Sequence, residues 1–349
     1  MDDAEREARR IKREAWASGN LGRQTAVMED LVGRADDTLG WLAVGRQASS
    51  YLRHLTTWKR SKGFTGINDL LDSHNARLSD WQAEAGRQTA AADADEVADA
   101  RSQLGIRLAG IGKGGAGKTV ISSTIARLLA RQGRQVLVAD MDVNPGLSYS
   151  IGLGNADVAL PLEVLEENPG AAYGWQLRTD ILPREVVQKH TVIGPDGVHV
   201  TGLGKIGTED KISAKRTVVA LIQTLLGFGE PGWDVIGDLE AGPTTPFERY
   251  HAFSDDVIVV AGPAWRSAMT ARRLLPMVGE GRTTTIVANR FRDEPDHPGL
   301  APRIRIPFDN DVAEAERQGL SPIDECPDSP TIKAIEQVAA LFTSQEVRV

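Results

Sequence analysis

Short apolar runs typical of buried strands recur from residue 106 towards the end of the chain. They cover residues 106–111, 135–139, 198–202, 234–238, 256–261, 284–289 and 303–306. Between them lie segments such as 119–132, in which apolar residues are three and four apart, as on the buried face of a helix. Alternating strands and helices predict an α/β domain with a mostly parallel sheet and helices on both of its faces.

The N-terminal part of the chain has helical spacing and no strand pattern. Two sets of residues follow that spacing: Met28, Leu31, Ala35, Leu39 and Leu42, then Ile67, Leu70, Leu71, His74, Leu78 and Trp81. Residues 89–96 are rich in alanine and acid, which marks a boundary. We therefore predict a small all-α domain over residues 1–87, a connector over 88–105 and the α/β domain over 106–349.

Composition narrows the class of protein. The 349 residues are 41% hydrophobic, which is enough for one large and one smaller core, and the net charge of -8 argues against a surface built broadly for nucleic acid. Cys326 is the only cysteine, so no internal disulfide is possible. The start lacks an apolar leader, and the longest apolar run, 257–264, is too short to span a bilayer. We expect a cytoplasmic protein without membrane insertion.

The most specific motif lies between the first strand and the first helix of the α/β region. Residues 112–119 read Gly-Lys-Gly-Gly-Ala-Gly-Lys-Thr and fit the pattern G-x-x-x-x-G-K-[ST]. Glycines let the backbone curl around a polyphosphate, which meets exposed amides at the positive end of the helix. Lys118 would bridge the outer phosphate oxygens, and the Thr119 hydroxyl would ligate Mg²⁺. The motif predicts a site for a nucleoside triphosphate with Mg²⁺.

The same glycines admit a second interpretation. Gly110, Gly112 and Gly115 also satisfy G-x-G-x-x-G, the dinucleotide pattern, and Asp140 follows the next strand as a possible ribose ligand. A dinucleotide needs no lysine and hydroxyl at the start of the helix, whereas a triphosphate with Mg²⁺ does. Lys118 and Thr119 therefore favour the phosphate loop over the dinucleotide site and over a purely structural glycine turn.

Acidic residues follow two later strands, at the ends where open α/β sheets bind ligands. Near a magnesium triphosphate, one of Asp140 and Asp142 can hold metal-bound water while the other orients an attacking water, although both also suit a turn or a helix cap. Asp238 fits a carboxylate that acts on the magnesium ion through its waters. Gly242 opens a loop that can sense the terminal phosphate through its backbone amide.

A further strand ends in Asn289 and Arg290, whose amide and guanidinium can hydrogen-bond to a purine or stack on it. Taken together, these residues resemble the deviant Walker A ATPases, the family that includes MinD, ParA and the nitrogenase iron protein. The family signature K-G-G-x-G-K-T stands here at residues 113–119. The resemblance covers about residues 106–345 and includes Ile306-Pro307-Phe308-Asp309, which is similar to the family's I-P-x-D segment near the base.

Within that family, residues 238–242 and 204–206 are most similar to the nickel-insertion ATPases of carbon monoxide dehydrogenase. The C-x-C metal pair of that subgroup is expected shortly after residue 206. Residues 207–212, which stand there, contain no cysteine. The subgroup's motifs are therefore present without its metal site, and nickel delivery is not expected.

The resemblance implies roles for individual residues. Lys113 would reach the phosphates of a second protomer, Asp142 would be the hydrolytic acid of switch I, and Asp238 would be the Walker B acid. With Lys118, the implied catalytic set is Lys113, Lys118 and Asp142. Nucleotide contacts are implied for Gly112, Lys113, Gly114, Gly115, Ala116, Gly117, Lys118, Thr119, Val120, Gly242, Asn289, Arg290 and Pro307. Contacts with Mg²⁺ are implied for Thr119, Asp140, Asp142 and Asp238.

The function implied by the resemblance is a molecular switch that uses ATP and Mg²⁺. It would be a slow, partner-stimulated ATPase that forms a homodimer across the nucleotide and acts on a protein partner, with the helical N-terminal domain as a docking module. Three alternatives stay open: a structural or adaptor subunit that binds nucleotide with little turnover, a ParA-like DNA-positioning ATPase, which the acidic composition disfavours, and a phosphoryl-transfer enzyme with a small acceptor.

Overall fold

The computed structural model describes most of the α/β region and part of the N-terminal region. The described residues are 2–16, 21–41, 105–142, 144, 146–168, 174–204, 211–242, 250–278 and 282–343, with isolated positions between 43 and 83. The chain divides into two compact units, one of Met1–Ser102 with Glu167–Trp175 and the other of Gln103–Glu166 with Gln176–Val349. Most of the predicted connector lies outside the described residues, so the predicted domain bounds stay a prediction.

The first unit is helical where it is described. Helices α1 (Asp2–Trp16) and α2 (Leu21–Gly33) are followed by one π-helical turn, Ala35–Leu39. Met28, Leu31, Ala35 and Leu39 are all buried in one core, which confirms the helical spacing predicted for them. Leu42 and most of the second predicted set, apart from Trp81, lie outside the described residues.

The second unit is built on an eight-stranded sheet with the order β10-β9-β8-β1-β7-β2-β6-β5. The strands are β1 (Arg107–Gly112), β2 (Gln135–Met141), β5 (Val192–Ile193), β6 (His199–Gly202), β7 (Trp233–Leu239), β8 (Asp256–Ala261), β9 (Thr283–Phe291) and β10 (Ile304–Pro307). β3 (Leu165–Glu167) and β4 (Trp175–Leu177) pair separately. Every neighbouring pair in the large sheet is parallel except β5 with β6, which forms a hairpin.

Helices cover the sheet because its strands are apolar on both sides. The helices are α3 (Lys118–Arg131), α4 (Leu147–Ser150), α5 (Pro183–His190), α6 (Lys211–Gly227), α7 (Trp265–Leu274), α8 (Asn310–Gln318), α9 (Pro322–Glu325) and α10 (Pro330–Thr343). Alternate strand residues such as Leu108 and Ile236 join α3 and α10 in one core. The residues between them, such as Val235, are buried as well, and α7 contacts β1 and β8. The α/β prediction is confirmed, with strand ends shifted by at most two residues.

An ionic network anchors α3, the helix that follows the glycine-rich loop. The Arg127 side chain is only 3% exposed and donates to the carboxylates of Asp196 and Asp324 and to the Ile151 carbonyl. A buried charge is tolerated when it is paired and hydrogen-bonded in this way. The network ties α3 to the β5–β6 hairpin and to α9. None of the described helices has the length and apolar character that a membrane crossing requires.

Candidate nucleotide-binding site

The glycine-rich loop joins the end of β1 to the start of α3, and glycine is required at two of its positions. A Cβ atom at Gly112 would lie 2.5 Å from the Val260 carbonyl oxygen. At Gly117, φ is +92° and a Cβ atom would overlap the side-chain nitrogen of Asn289. Strands β8 and β9 therefore leave no room for a side chain at these two positions, where the backbone itself forms the surface of the loop.

Both lysines of the motif lie at this loop. Lys118 begins α3 and is 6% exposed, whereas Lys113 is half-buried. Within the part of the chain that the structure describes, neither ammonium group has an acidic side chain at ion-pair distance. The helix start thus concentrates positive charge, and the partial charge of the helix N-terminus adds to it.

Strand register brings two of the predicted acids side by side. Asp140 on β2 is the register partner of Asp238 on β7, and Gly110 on β1 is also paired with Asp238. The Thr119 hydroxyl donates to Asp238 Oδ2 over 2.6 Å. Asp238 Oδ1 is buried and accepts no hydrogen bond from the described residues. The carboxyl ends of three adjacent strands therefore meet at the start of α3.

Asp238 is 2% exposed, and its surroundings disfavour its charge. Burial, reinforced by the nearby Asp140 carboxylate, raises the pKa of Asp238 to about 7, and the Lys118 ammonium and the Thr119 hydroxyl offset only part of this rise. A cation bound close to Asp238 would therefore stabilise the ionised form of this carboxyl group.

Asp140 holds the loop that follows β2. Its Oδ2 accepts hydrogen bonds from the amides of Gly146 (3.0 Å) and Leu147 (2.9 Å), and its Oδ1 accepts one from the Asp142 amide (3.1 Å). Burial raises the pKa of Asp140 although these amides lower it. Asp142 is half-buried and accepts a hydrogen bond from the Asn144 amide over 2.8 Å. The Asp140 carboxylate is thus occupied by backbone amides, whereas Asp142 lies at the accessible edge of the same loop.

The side chains at this point fit a hard cation that brings further ligands with it. Thr119, Asp142 and Asp238 offer only oxygen atoms, which Mg²⁺ prefers, and Asp238 Oδ1 is buried without a partner in the described structure. No group of three or more His, Cys, Asp or Glu side chains among the described residues is arranged to hold a metal ion by itself. Mg²⁺ in nucleotide sites is typically bound by one or two protein groups together with phosphate and water.

The loop after β7 returns to the glycine-rich loop. The Gly242 amide donates to the Gly112 carbonyl over 3.1 Å. Glu240, just before it, is half-buried; burial and the Asp142 carboxylate raise its pKa, while Lys118 lowers it. The loop after β7 is therefore anchored to the first residue of the glycine-rich loop, and its continuation over 243–249 lies outside the described residues.

A pocket opens on the other side of the loop. Its walls include Gly117, Val120, Asn289, Arg290, Pro307 and Glu316. The Asn289 amide donates to the Ala116 carbonyl over 2.7 Å, and the Arg290 guanidinium donates to the Gly115 carbonyl over 3.2 Å. The residues expected near a purine base thus lie together, against the backbone of the phosphate loop.

The pocket also contains a wall that the sequence prediction missed. Val312, Ala313 and Glu316, all on α8, line it. The signal was present: counted from Asp309, these positions are three, four and seven residues further on, which is one face of a helix. Extending the Ile306–Asp309 segment by two helical turns would have placed them in the pocket.

Comparison with known proteins assigns the family. Residues 108–323 match the CobQ/CobB/MinD/ParA nucleotide binding domain. The chain belongs to this family. Its curated relatives include an uncharacterised ATP-binding protein of Methanocaldococcus jannaschii, 27% identical over 67% of this chain and 96% of the relative. The carbon monoxide dehydrogenase accessory protein CooC of Rhodospirillum rubrum is 26% identical over 64% of this chain and 91% of the relative.

Solved structures agree with the fold of this MinD/ParA-like domain. A ParA family ATPase of Chlorobium tepidum covers 68% of this chain and 98% of its own, with a TM-score of 0.51 and 20% identity. MinD of Pyrococcus horikoshii, solved with Mg-ADP, covers 69% of this chain and 99% of its own, with a TM-score of 0.51 and 18% identity. At these identities the likeness shows the fold alone. The expected MinD/ParA family and the fold class are confirmed. The deviant form of the Walker A motif stays a prediction.

Proposed function

We propose that this protein is an ATP-binding and ATP-hydrolysing molecular switch. The observation that carries the proposal is the arrangement at the start of α3. There the Thr119 hydroxyl is hydrogen-bonded to the buried Asp238 carboxylate beside Lys118. This arrangement suits the β- and γ-phosphates of a nucleotide and the Mg²⁺ ion that accompanies them. The assignment of ATP is supported by the family, whose curated relatives include ATP-binding proteins.

The residues at the start of α3 would each have a separate role in nucleotide binding and hydrolysis. Lys118 would bind the outer phosphate oxygens, and loop amides would bind the inner ones. Thr119 directs its hydroxyl proton at Asp238 and so keeps its lone pairs available to Mg²⁺. Mg²⁺, when bound, would supply positive charge to the phosphate oxygens. Asp238 would accept hydrogen bonds from water around the cation, and Asp142 would orient the water that attacks the terminal phosphate.

The switch would work as a pair of protomers. Lys113 is half-buried at the exposed rim of the loop, next to the exposed Gly114 and Gly115. We assign it to the phosphates of a second copy bound face to face, so that ATP and Mg²⁺ join two chains and hydrolysis releases them. Hydrolysis would be slow until a protein partner stimulates it, and the helical N-terminal domain would be the docking module for that partner.

The test measures ATP hydrolysis and molar mass in solution, with ATP and Mg²⁺, for the wild type, Lys113→Ala and Lys118→Ala. Lys189→Ala, at an exposed position on α5, is the matched control. Loss of one electrostatic contact with developing phosphate charge costs about 3 kcal/mol, so turnover should fall by roughly a hundredfold or more. Both loop variants should also lose the ATP-dependent dimer. Unchanged turnover and molar mass in both would refute the proposal, and tight ATP binding without turnover in the wild type would favour a structural role.

A further inference from the structure

An ion pair forms part of the pocket wall on the side of α8. The Arg290 guanidinium and the Glu316 carboxylate, which both line the pocket, are joined over 2.6 Å between Arg290 Nη2 and Glu316 Oε2. The other terminal nitrogen of Arg290 donates to the Gly115 carbonyl. One guanidinium therefore ties the phosphate loop to α8, and it fixes the place of the Glu316 carboxylate in the pocket.

The backbone at Arg290 supports a built arrangement. Arg290 has φ of +64°, in the left-handed region that side-chain-bearing residues rarely adopt. Such a conformation persists only where the surroundings hold it, and it is concentrated at ligand sites. Asn289, the residue before it, is held by its own hydrogen bond to Ala116. Two hydrogen bonds to the loop and one ion pair to α8 thus hold two adjacent residues near the end of β9.

The fixed ion pair leaves one carboxylate oxygen for a ligand. Glu316 Oε2 is taken by Arg290, while Oε1 accepts no hydrogen bond from the described residues. The Glu316 side chain is 26% exposed, so what enters the pocket replaces part of its remaining hydration. A ligand edge that offers a single hydrogen-bond donor therefore matches this wall.

We propose that Glu316 selects the base of the nucleotide by accepting a hydrogen bond from the exocyclic amine of adenine. This inference rests on the proposed function, because it takes the pocket as the base site. Adenine presents one amine on its six-membered ring, which one carboxylate oxygen can satisfy. Guanine presents a carbonyl oxygen at that position, which the carboxylate repels. Its two adjacent donors are bound best by both oxygens of a carboxylate, and Glu316 Oε2 already accepts from Arg290. Glu316 thus favours adenine and opposes guanine.

The size of the effect follows from the charge on the acceptor. A hydrogen bond to a charged group is worth about 1.5–3 kcal/mol, which is roughly a tenfold to hundredfold change in affinity. A triphosphate whose base lacks the amine should lose that factor, because Glu316 would be partly desolvated without receiving a donor. Its phosphate and ribose groups would bind as those of ATP do.

The experiment measures calorimetric affinities of the full chain, with Mg²⁺, for ATP, GTP and purine riboside triphosphate, which is ATP without the amine. The variants are Glu316→Ala and Glu316→Gln, and Glu314→Ala, an exposed acid of the same helix that pairs within that helix, is the matched control. The wild type and Glu314→Ala should prefer ATP to purine riboside triphosphate by roughly tenfold or more. Glu316→Ala should bind the two alike, and Glu316→Gln, which keeps an acceptor oxygen, should retain part of the preference.

The outcomes separate this inference from the proposed function. If no triphosphate binds to the wild type, the proposed function fails and this inference fails with it. If the wild type binds ATP but shows no preference over purine riboside triphosphate, only this inference fails. A preference that survives in Glu316→Ala, with circular dichroism showing a folded variant, also overturns it, because another group would then read the amine.

Discussion

Asp238→Asn should make the nucleotide-free protein more stable at neutral and alkaline pH while it slows hydrolysis. The pKa of Asp238 is raised from 3.8 to about 7 by burial and by Asp140, so the folded state holds the proton more strongly than the unfolded state does. The free energy of unfolding must then decrease as the pH rises from about 4 to about 7. An asparagine at this position cannot ionise and escapes that loss.

The magnitude follows from the same pKa. At 1.36 kcal/mol per pH unit, the rise from 3.8 to about 7 corresponds to about 4 kcal/mol at pH 8. The hydrogen bond from Thr119 would pass from a charged to a neutral acceptor and lose about 1 kcal/mol. Asp238→Asn should therefore gain roughly 3 kcal/mol, which raises the melting temperature by about 6–12 °C for a domain of this size. Hydrolysis should fall by about a hundredfold.

Thermal and denaturant unfolding from pH 4 to 8, without nucleotide or metal, would measure this effect. Asp234→Asn is the matched control, since Asp234 lies on the same strand and is equally buried. Its carboxylate is paired with Arg134 and accepts from the Ile106 amide, so its loss should destabilise the protein by about 2 kcal/mol. Stability changes of the same sign in both variants, or an unchanged pH dependence in Asp238→Asn, would show that burial does not govern this carboxyl group.

Two further predictions concern the loop and the helix that follows it. Gly117→Ala should abolish ATP binding in calorimetry, since its Cβ atom would collide with the Asn289 side chain in the pocket wall. Gly133→Ala, with φ of +81° but open space around it, is the control: it should bind ATP normally and lose only about 1 kcal/mol of stability. Arg127→Ala should lose about 3–5 kcal/mol at neutral pH and Arg131→Ala, which is 38% exposed, less than about 1 kcal/mol, as denaturant titration can show. Burial raises the pKa of Asp324, but its hydrogen bonds and ionic contacts, chiefly those with Arg127, together lower it by more. This stabilisation should therefore be present at neutral pH and disappear as the pH falls below about 4. Equal losses in the two arginine variants would contradict it.

Local sequence was sufficient for the elements and for the phosphate loop. The strands at the site are apolar runs that end in glycine or carry an acid one residue before their end, and the loop's shape is fixed by its own glycines and by the helix after it. These features depend on neighbours in the chain, so periodicity and motif spacing predict them.

Contacts between segments that are distant in the chain could not be predicted from sequence patterns. Nothing near Asp140 indicates that both of its oxygens would be taken by amides, because those amides depend on how the following loop closes. The bond between Arg290 and Glu316 joins residues 26 positions apart. It depends on a left-handed backbone conformation at Arg290, which the sequence does not indicate because arginine rarely adopts it. The order of strands in the sheet is likewise a tertiary choice, since each strand alone satisfies the same apolar pattern.

The position of β1 inside the sheet has a consequence for biosynthesis. β1 is flanked by β7 and β8, the Thr119 hydroxyl finds its acceptor 119 residues later, and the Ala116 carbonyl finds its donor 173 residues later. A nascent chain in which the glycine-rich loop has been synthesised but Asn289 has not contains the motif and lacks the hydrogen bond from Asn289 to the loop. Ribosome-bound fragments that end before residue 230 should therefore pass through an ATP-agarose column unretained, and nucleotide capture becomes a late event of translation that reports a completed sheet.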